Sequence, residues 1–176
     1  METHSGEMVR EPLTECVVEF FRAYGVACEQ IVESEAPASA DMELGSIIGF
    51  RGKSVRGGFA FVAPVGLIAD LLPVPPSRDR ELQLRDWSAE IANQLIGRLK
   101  NKLAAQALDF DVGSPVCFRG RSIRLVFLPD AEGVSLAFRA AAAEVQIHLD
   151  CSISSSLVDG PVEELRIAAE GEVILF

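Results

Sequence analysis

The sequence is poor in the residues from which most metal sites are built. It has two histidines and four cysteines among 176 residues. The cysteines form no Cys-x-x-Cys pair and have no histidine beside them, so their spacing argues against a zinc site. His148 and Asp150 fall on one face of a predicted strand, but two residues do not make a metal site. We therefore expect no metal site and no cofactor bound by this chain, and the thiols are expected to be small, partly buried residues: Cys16, Cys28, Cys117 and Cys151.

Basic residues are also scarce. The chain has 16 Lys and Arg against 26 Asp and Glu, which gives a formal net charge of −10. Contacts to phosphate backbones need clustered Lys and Arg, so direct nucleic-acid binding is not expected. No Gly-x-Ser-x-Gly sequence marks a nucleophilic serine. The N-terminal residues lack an apolar signal core, which predicts a cytoplasmic protein with reduced thiols.

Two segments imitate known functional patterns without meeting their requirements. The stretch from Gly57 to Val74 carries few charges, but its prolines and Asp70 favour a strand and a short helix over a membrane span. The Gly52-Lys53-Ser54 triplet ends like a phosphate-binding loop. That motif needs a glycine at position 47, where this chain has Ile47, and a helix where a second strand is predicted here. We expect neither a membrane span nor a nucleotide site.

Apolar residues, in contrast, are plentiful and regularly spaced. They make up 49% of the chain, which favours one packed domain. We predict a flexible tail over residues 1–8, the folded domain over 9–152, and a C-terminal extension over 153–176 with one or two short strands. The predicted helices are 11–24, begun at Pro12, then 65–72 and 82–108, with a loop over 73–78. The predicted strands are 44–50, 55–62, 116–119, 122–128, 134–139 and 144–151, while 31–41 is a connection or an edge strand and the alanine run 140–143 fits either strand or helix.

The longest predicted helix has two unlike sides. An apolar side should face a sheet and consists of Leu84, Ser88, Ile91, Ala92, Leu95, Leu99 and Leu103. The opposite side is a narrow row that we call the polar stripe: Asp86, Glu90, Asn93, Gly97 and Lys100. Taken alone, such a row can be a solvated helix face, and Asp86 can equally be an N-cap or a first-turn acid. The stripe is narrow, however, and it contains an asparagine and a glycine, both of which weaken a helix.

At this stripe the chain resembles the CheC/CheX/FliY family of chemotaxis phosphatases. The family pattern is Asp or Ser, three residues, Glu, two residues and Asn near the start of a long helix, and it stands here as Asp86, Glu90 and Asn93. Gly97 stands where the family often has glycine. The likeness extends over about 9–152 and includes Ile48-Gly49-Phe50-x-Gly52, Ala63-Pro64 and the segment from Ser114-Pro115 to Gly120. A single motif is similar to CheX and its relatives, whereas the Pro-rich loop 73–80 and the tail after Ser152 depart from the family pattern.

The resemblance implies a fold, an activity and roles for residues. It implies an α+β fold in which two long helices lie against a largely antiparallel sheet, and a homodimer formed through the sheet. The implied activity is hydrolysis of the aspartyl phosphate of a CheY-like response regulator, which supplies its own Mg²⁺ and Lys. Asn93 would orient the attacking water, Glu90 would contact the regulator's Lys, and Asp86, Gly97 and Lys100 would serve docking. The alternatives are a non-catalytic module that docks a regulator or another signalling protein, and a small-ligand sensor domain, because fold does not fix function.

Overall fold

The computed structural model describes residues 5–31, 42–75, 78–123, 125 and 133–153. Most of the strand predicted at 122–128 and the extension after 153 lie outside these residues. The predicted boundaries of the domain at 9 and 152 stay predictions.

Three helices form within the described residues, and two of them are long. They are α1 (Ser5–Ala23), α2 (Val65–Asp70) and α3 (Arg80–Ala104). The prediction that α1 begins at Pro12 is wrong, since Pro12 lies inside the helix. Val9 explains the difference: it is fully buried one turn before the fully buried Leu13, and this apolar contact offsets the backbone hydrogen bond that proline cannot donate.

In the part of the chain that the structure describes, seven strands form one sheet, and each of their pairings is antiparallel. The sheet order is β1-β6-β7-β3-β2-β4, and β5 pairs with β2 as well. The strands are β1 (Cys28–Ile31), β2 (Met42–Gly52), β3 (Val55–Pro64), β4 (Phe110–Val112), β5 (Val116–Arg121), β6 (Gly133–Ala140) and β7 (Ala143–Ile153). The predicted fold class, an antiparallel sheet with two long helices, is therefore confirmed.

The hairpins follow the predicted pattern more closely than the edge strands do. The β2–β3 hairpin lies where it was predicted, and the alanine run is resolved into strand ends and a turn, since Ala140 pairs with Ala143 and Ala141 has φ 53°. The short strands β1 and β4 were not placed correctly from the sequence. Each pairs along only one side, with β6 and β2 respectively, and three or four residues show too little alternation to identify a strand.

The core lies between the sheet and the helices. Alternate residues of the central strands point into it, including Phe59 and Phe61 of β3 and Ile147 of β7, all fully buried. Helices α1 and α3 pack against each other and against the sheet. This places α3 with one side in the core and leaves its other side at the surface.

The two long helices end in the same hydrogen-bond pattern, but a different residue occupies the left-handed position in each. After α1, the Val26 N–H donates to the Phe21 carbonyl and Gly25 takes φ 72°. After α3, the Leu108 N–H donates to the Leu103 carbonyl, and the left-handed position is occupied by Ala107, with φ 61°. An alanine in this conformation is strained because its Cβ approaches the backbone, whereas glycine is not.

We expect Ala107→Gly to stabilise the protein by about 1 kcal/mol because it relieves this strain. The measurement is the free energy of unfolding in urea. The matched control is Ala104→Gly three residues earlier, where the alanine is helical and the same replacement should cost about 1 kcal/mol. Equal losses of stability in both variants would show that the end of α3 is not strained.

Candidate functional site

All five residues of the polar stripe lie on α3, and the structure places them on its outer side. The side chains of Asp86, Glu90 and Asn93 are exposed, while Gly97 and Lys100 are partly exposed. Spacings of three and four residues bring them onto one face of the helix, as predicted. The side chains of Glu90 and Asn93 are thus presented together at the surface of a rigid element.

The stripe faces outward because the opposite side of α3 is buried. Every residue of the predicted apolar side is buried, and Ile91, Leu95 and Leu99 have no exposed area. Trp87 and Ile96, which were not included in that prediction, are buried too and widen the apolar side. Turning the helix to hide the stripe would expose these side chains, at a cost of roughly 1.5–3 kcal/mol for each large one.

A buried polar contact also joins α3 to the sheet beneath the stripe. The hydroxyls of Ser88 and Ser46, both fully buried, lie 2.9 Å apart, and Ser46 Oγ lies 3.3 Å from Cys117 Sγ. Cys117 Sγ also donates to the Arg85 carbonyl of α3 at 3.4 Å. Such directional bonds fix the helix along its axis more sharply than apolar packing alone, because a small shift would leave buried hydroxyls unpaired.

Glu90 is held by a neighbour on the same helix. Gln94 Nε2 donates to Glu90 Oε1 at 2.8 Å, and Gln94 Oε1 accepts from the Tyr24 hydroxyl at 3.3 Å. Neither Gln94 nor Tyr24 is predicted as a site residue from the sequence. The four-residue spacing of Glu90 and Gln94 is a usable signal for the first bond, but nothing local predicts that Tyr24, from the end of the other long helix, reaches Gln94.

The helix surface at Asn93 and Gly97 is open, whereas Glu90 is bonded to Gln94. The carboxamide of Asn93 has no hydrogen-bond partner in the part of the chain that the structure describes. At Gly97 an added Cβ would meet no atom within 4 Å, which marks an open surface. The arrangement offers a carboxamide that can hold a water or a ligand, beside a fixed carboxylate and a bare stretch of helix.

The two ends of the stripe have different surroundings. Asp79, not Asp86, caps α3, accepting from the Leu82 N–H at 3.1 Å, and the first-turn acid is Glu81. The alternative that Asp86 is a cap or first-turn acid is therefore wrong, because Asp86 lies beyond the first turn, seven residues after the cap. At the other end, Lys100 Nζ lies 3.6 Å from Asp109 Oδ1 and 3.7 Å from Asp111 Oδ1, both on exposed side chains, and such contacts are weak.

Other residues with chemical potential are less well placed. Burial raises the pKa of Cys16 and of Cys28 to about 11, so neither is a thiolate nucleophile near neutral pH. Burial lowers the pKa of His148, whose Nδ1 lies 2.9 Å from Ser135 Oγ on the neighbouring strand. Within the described ranges no three His, Cys, Asp or Glu side chains are grouped so as to hold a metal. None of the helices described here has the length and apolar character needed to cross a membrane.

One open cleft lies beside the start of α3. Its floor includes Leu44, Leu84 and Phe118, and its rim is charged. One pair of lining groups is bonded, since Arg119 Nη1 donates to Glu81 Oε1 at 2.9 Å. The small-ligand alternative stays a prediction.

Comparison with known proteins relates the chain to one group of structures. No model of a known protein family matches the sequence, and no curated protein does. Solved structures do match. The chain has the CheX fold. CheX from Vibrio vulnificus matches with a TM-score of 0.70 and 18% identity, over 82% of this chain and 99% of that chain.

Two further structures extend the likeness. A putative chemotaxis protein from Desulfovibrio vulgaris Hildenborough has a TM-score of 0.69 and 14% identity, covering 86% of this chain and 100% of its own. A chain of the CheX–CheY–BeF3–Mg²⁺ complex from Borrelia burgdorferi has a TM-score of 0.56 and 15% identity, covering 81% of this chain and 97% of its own. CheC-like proteins and FliY share the fold. The predicted resemblance is confirmed as a likeness of fold.

The open surface at Gly97 leads to a stability prediction. Gly97→Ala should raise the free energy of unfolding by up to about 1 kcal/mol, because alanine favours the helix and its methyl group meets nothing. Urea denaturation measures the change. The control is Gly25→Ala, where the added Cβ also meets no atom but φ is 72°, so that variant should lose stability. A loss at position 97 would contradict the open helix face.

Proposed function

We propose that this chain is a member of the CheC/CheX/FliY family and hydrolyses the aspartyl phosphate of a CheY-type response regulator. The observation that carries the proposal is the joint exposure of Glu90 and Asn93 on one outer face of the long helix of a CheX fold. A chain of the solved complex of CheX with CheY, BeF3 and Mg²⁺ shares this fold, which supports the proposal of a CheY-like partner. A cytoplasmic location is part of this proposal. The homodimer through the sheet stays a prediction.

The reaction requires little chemistry from this chain. Water attacks the phosphorus in line, and the bond between phosphorus and the aspartyl oxygen breaks. The aspartate returns to its carboxylate form, and inorganic phosphate leaves with the oxygen and both protons of the water. The regulator supplies Mg²⁺ and a Lys that neutralise the developing charge. What the partner must add is a water held in the attacking position, and this is a matter of positioning.

Asn93 has the right group for that task. Its carboxamide oxygen can accept a hydrogen bond from the water, and an uncharged amide does not repel the phosphoryl oxygens. Because Asn93 has no partner in the described part of the chain, engaging the water breaks no existing hydrogen bond there. Proton removal by Asn93 is not needed.

Glu90 and Gly97 would set the distance between the two proteins. A contact from Glu90 to the regulator's Lys is charge-assisted and fixes the position of α3 in the site. The bare backbone at Gly97 lets the regulator surface approach the helix closely. Asp86 and Lys100 flank this region on the same face of α3, and we assign them to docking for that reason.

The first test is Asn93→Ala. We expect hydrolysis of the phosphorylated regulator to slow by on the order of 10²-fold or more, since a positioning contact made in the transition state is lost. The assay follows loss of phosphate from a panel of phosphorylated CheY-type regulators. The matched control is Asn101→Ala, an exposed asparagine on the same helix, which should keep full activity. Unchanged hydrolysis by the Asn93 variant would end the proposed mechanism, while binding without hydrolysis by the wild type would identify a docking module.

The second test is Glu90→Ala. We expect a higher KM for the phosphorylated regulator and a lower kcat, because both docking and the position of the helix depend on the contact to Lys. The steady-state constants are compared with those of Glu11→Ala, which removes an exposed glutamate from α1. A Glu90 variant indistinguishable from the Glu11 variant would remove Glu90 from the mechanism.

A further inference from the structure

Gln94 lies between an exposed acid and a residue anchored in the helix interface. Its Nε2 donates to Glu90 Oε1 at 2.8 Å, and its Oε1 accepts from the Tyr24 hydroxyl at 3.3 Å. The chemistry allows only this direction. An ionised carboxylate can only accept, so the amide nitrogen of Gln94 must face Glu90 and the amide oxygen is left for the hydroxyl of Tyr24.

Tyr24 is itself held by several contacts. Its ring centroid lies 4.9 Å from that of Phe20 and 5.8 Å from that of the buried Trp87. It sits at the end of α1 just before Gly25, in the turn closed by the bond from the Val26 N–H to the Phe21 carbonyl at 3.0 Å. The hydroxyl that meets Gln94 is therefore fixed by both long helices.

We propose that Gln94 and Tyr24 are positioning residues that hold the Glu90 carboxylate in place before the partner arrives. This inference rests on the proposed function, in which Glu90 contacts the regulator's Lys. A free glutamate side chain has many rotamers, and ordering one at an interface weakens binding by about twofold to thirteenfold. The bond from Gln94 removes much of that loss in advance.

The positioning role of Gln94 and Tyr24 predicts that their variants change KM and not kcat. In Gln94→Met, which keeps the size of the side chain, Glu90 remains present but is no longer held, so it must be ordered during binding. We expect KM for the phosphorylated regulator to rise about threefold to tenfold with kcat nearly unchanged. Tyr24→Phe, which removes only the hydroxyl, should raise KM less, because Gln94 can still donate to Glu90.

A double-mutant cycle separates positioning from general damage. In a Glu90→Ala background, Gln94→Met should have no further effect, since it acts through Glu90 alone. Gln83→Met is the matched control on the same helix: Gln83 Nε2 donates to the Pro75 carbonyl, about two helical turns before Glu90, so this variant leaves the bond between Gln94 and Glu90 in place and KM should not change. A fall in kcat with unchanged KM, or an equal effect with and without Glu90, would overturn the positioning role.

A readout on the free protein distinguishes failure of this inference from failure of the proposed function. The side-chain couplings of Glu90, measured by NMR without any regulator, should report one dominant rotamer in the wild type and averaging in Gln94→Met. If the couplings do not change, the positioning role is wrong even if the protein is a phosphatase. If they change but the wild type hydrolyses no regulator phosphate, Glu90 is held as inferred and the proposed function is wrong.

Discussion

The rotational setting of α3 is the constraint on which the site depends. One side of this helix carries fully buried side chains such as Ile91, Leu95 and Leu99, and each is worth roughly 1.5–3 kcal/mol of apolar burial. The exposed ion pairs on its outer side contribute much less, typically 0–1 kcal/mol each. Core packing therefore decides which residues reach the surface, and the bonds among Ser88, Ser46 and Cys117 fix the helix along its axis. The stripe faces outward as a consequence of what lies beneath it.

The stripe combines a held group and a free one. Glu90 is tied to Gln94, which is tied to Tyr24, while the carboxamide of Asn93 has no partner among the described residues. This difference suits a protein that acts by positioning. In the proposed mechanism, a charged side chain that recognises a fixed lysine gains from being ordered beforehand, and an amide without a competing hydrogen bond can hold the water without first breaking one. Neither role requires a group of unusual reactivity, since one side chain is a carboxylate and the other is an uncharged amide.

Periodicity explains which features could be predicted from the sequence. The helix that contains Asp86, Glu90 and Asn93 was identifiable because its apolar side repeats from Leu84 to Leu103, and the β2–β3 hairpin because both strands alternate. Short elements such as β1 and β4 carry too few residues for a pattern. Proline favours the first turn of a helix, which predicts that α1 starts at Pro12. The helix in fact starts before Pro12, where the buried Val9 extends its apolar side.

The site was predictable in part for the same reason. Residues on one face of one helix follow from spacing alone, and so the five members of the stripe were identified together. The contact from Tyr24 to Gln94 was not, since it joins residues 70 positions apart and depends on how two helices cross. Likewise, the cap of α3 at Asp79 could be assigned only once the true first turn was known. Tertiary contacts of this kind leave no local signal in a single sequence.

The most direct test of the account is a structure of this protein bound to a CheY-type regulator activated with beryllofluoride and Mg²⁺. The account predicts that α3 lies across the phosphorylation site, with the carboxamide of Asn93 bonded to a water opposite the beryllofluoride and the carboxylate of Glu90 on the regulator's lysine. A complex in which the polar stripe faces solvent, or in which another surface of the protein meets the regulator, would contradict it.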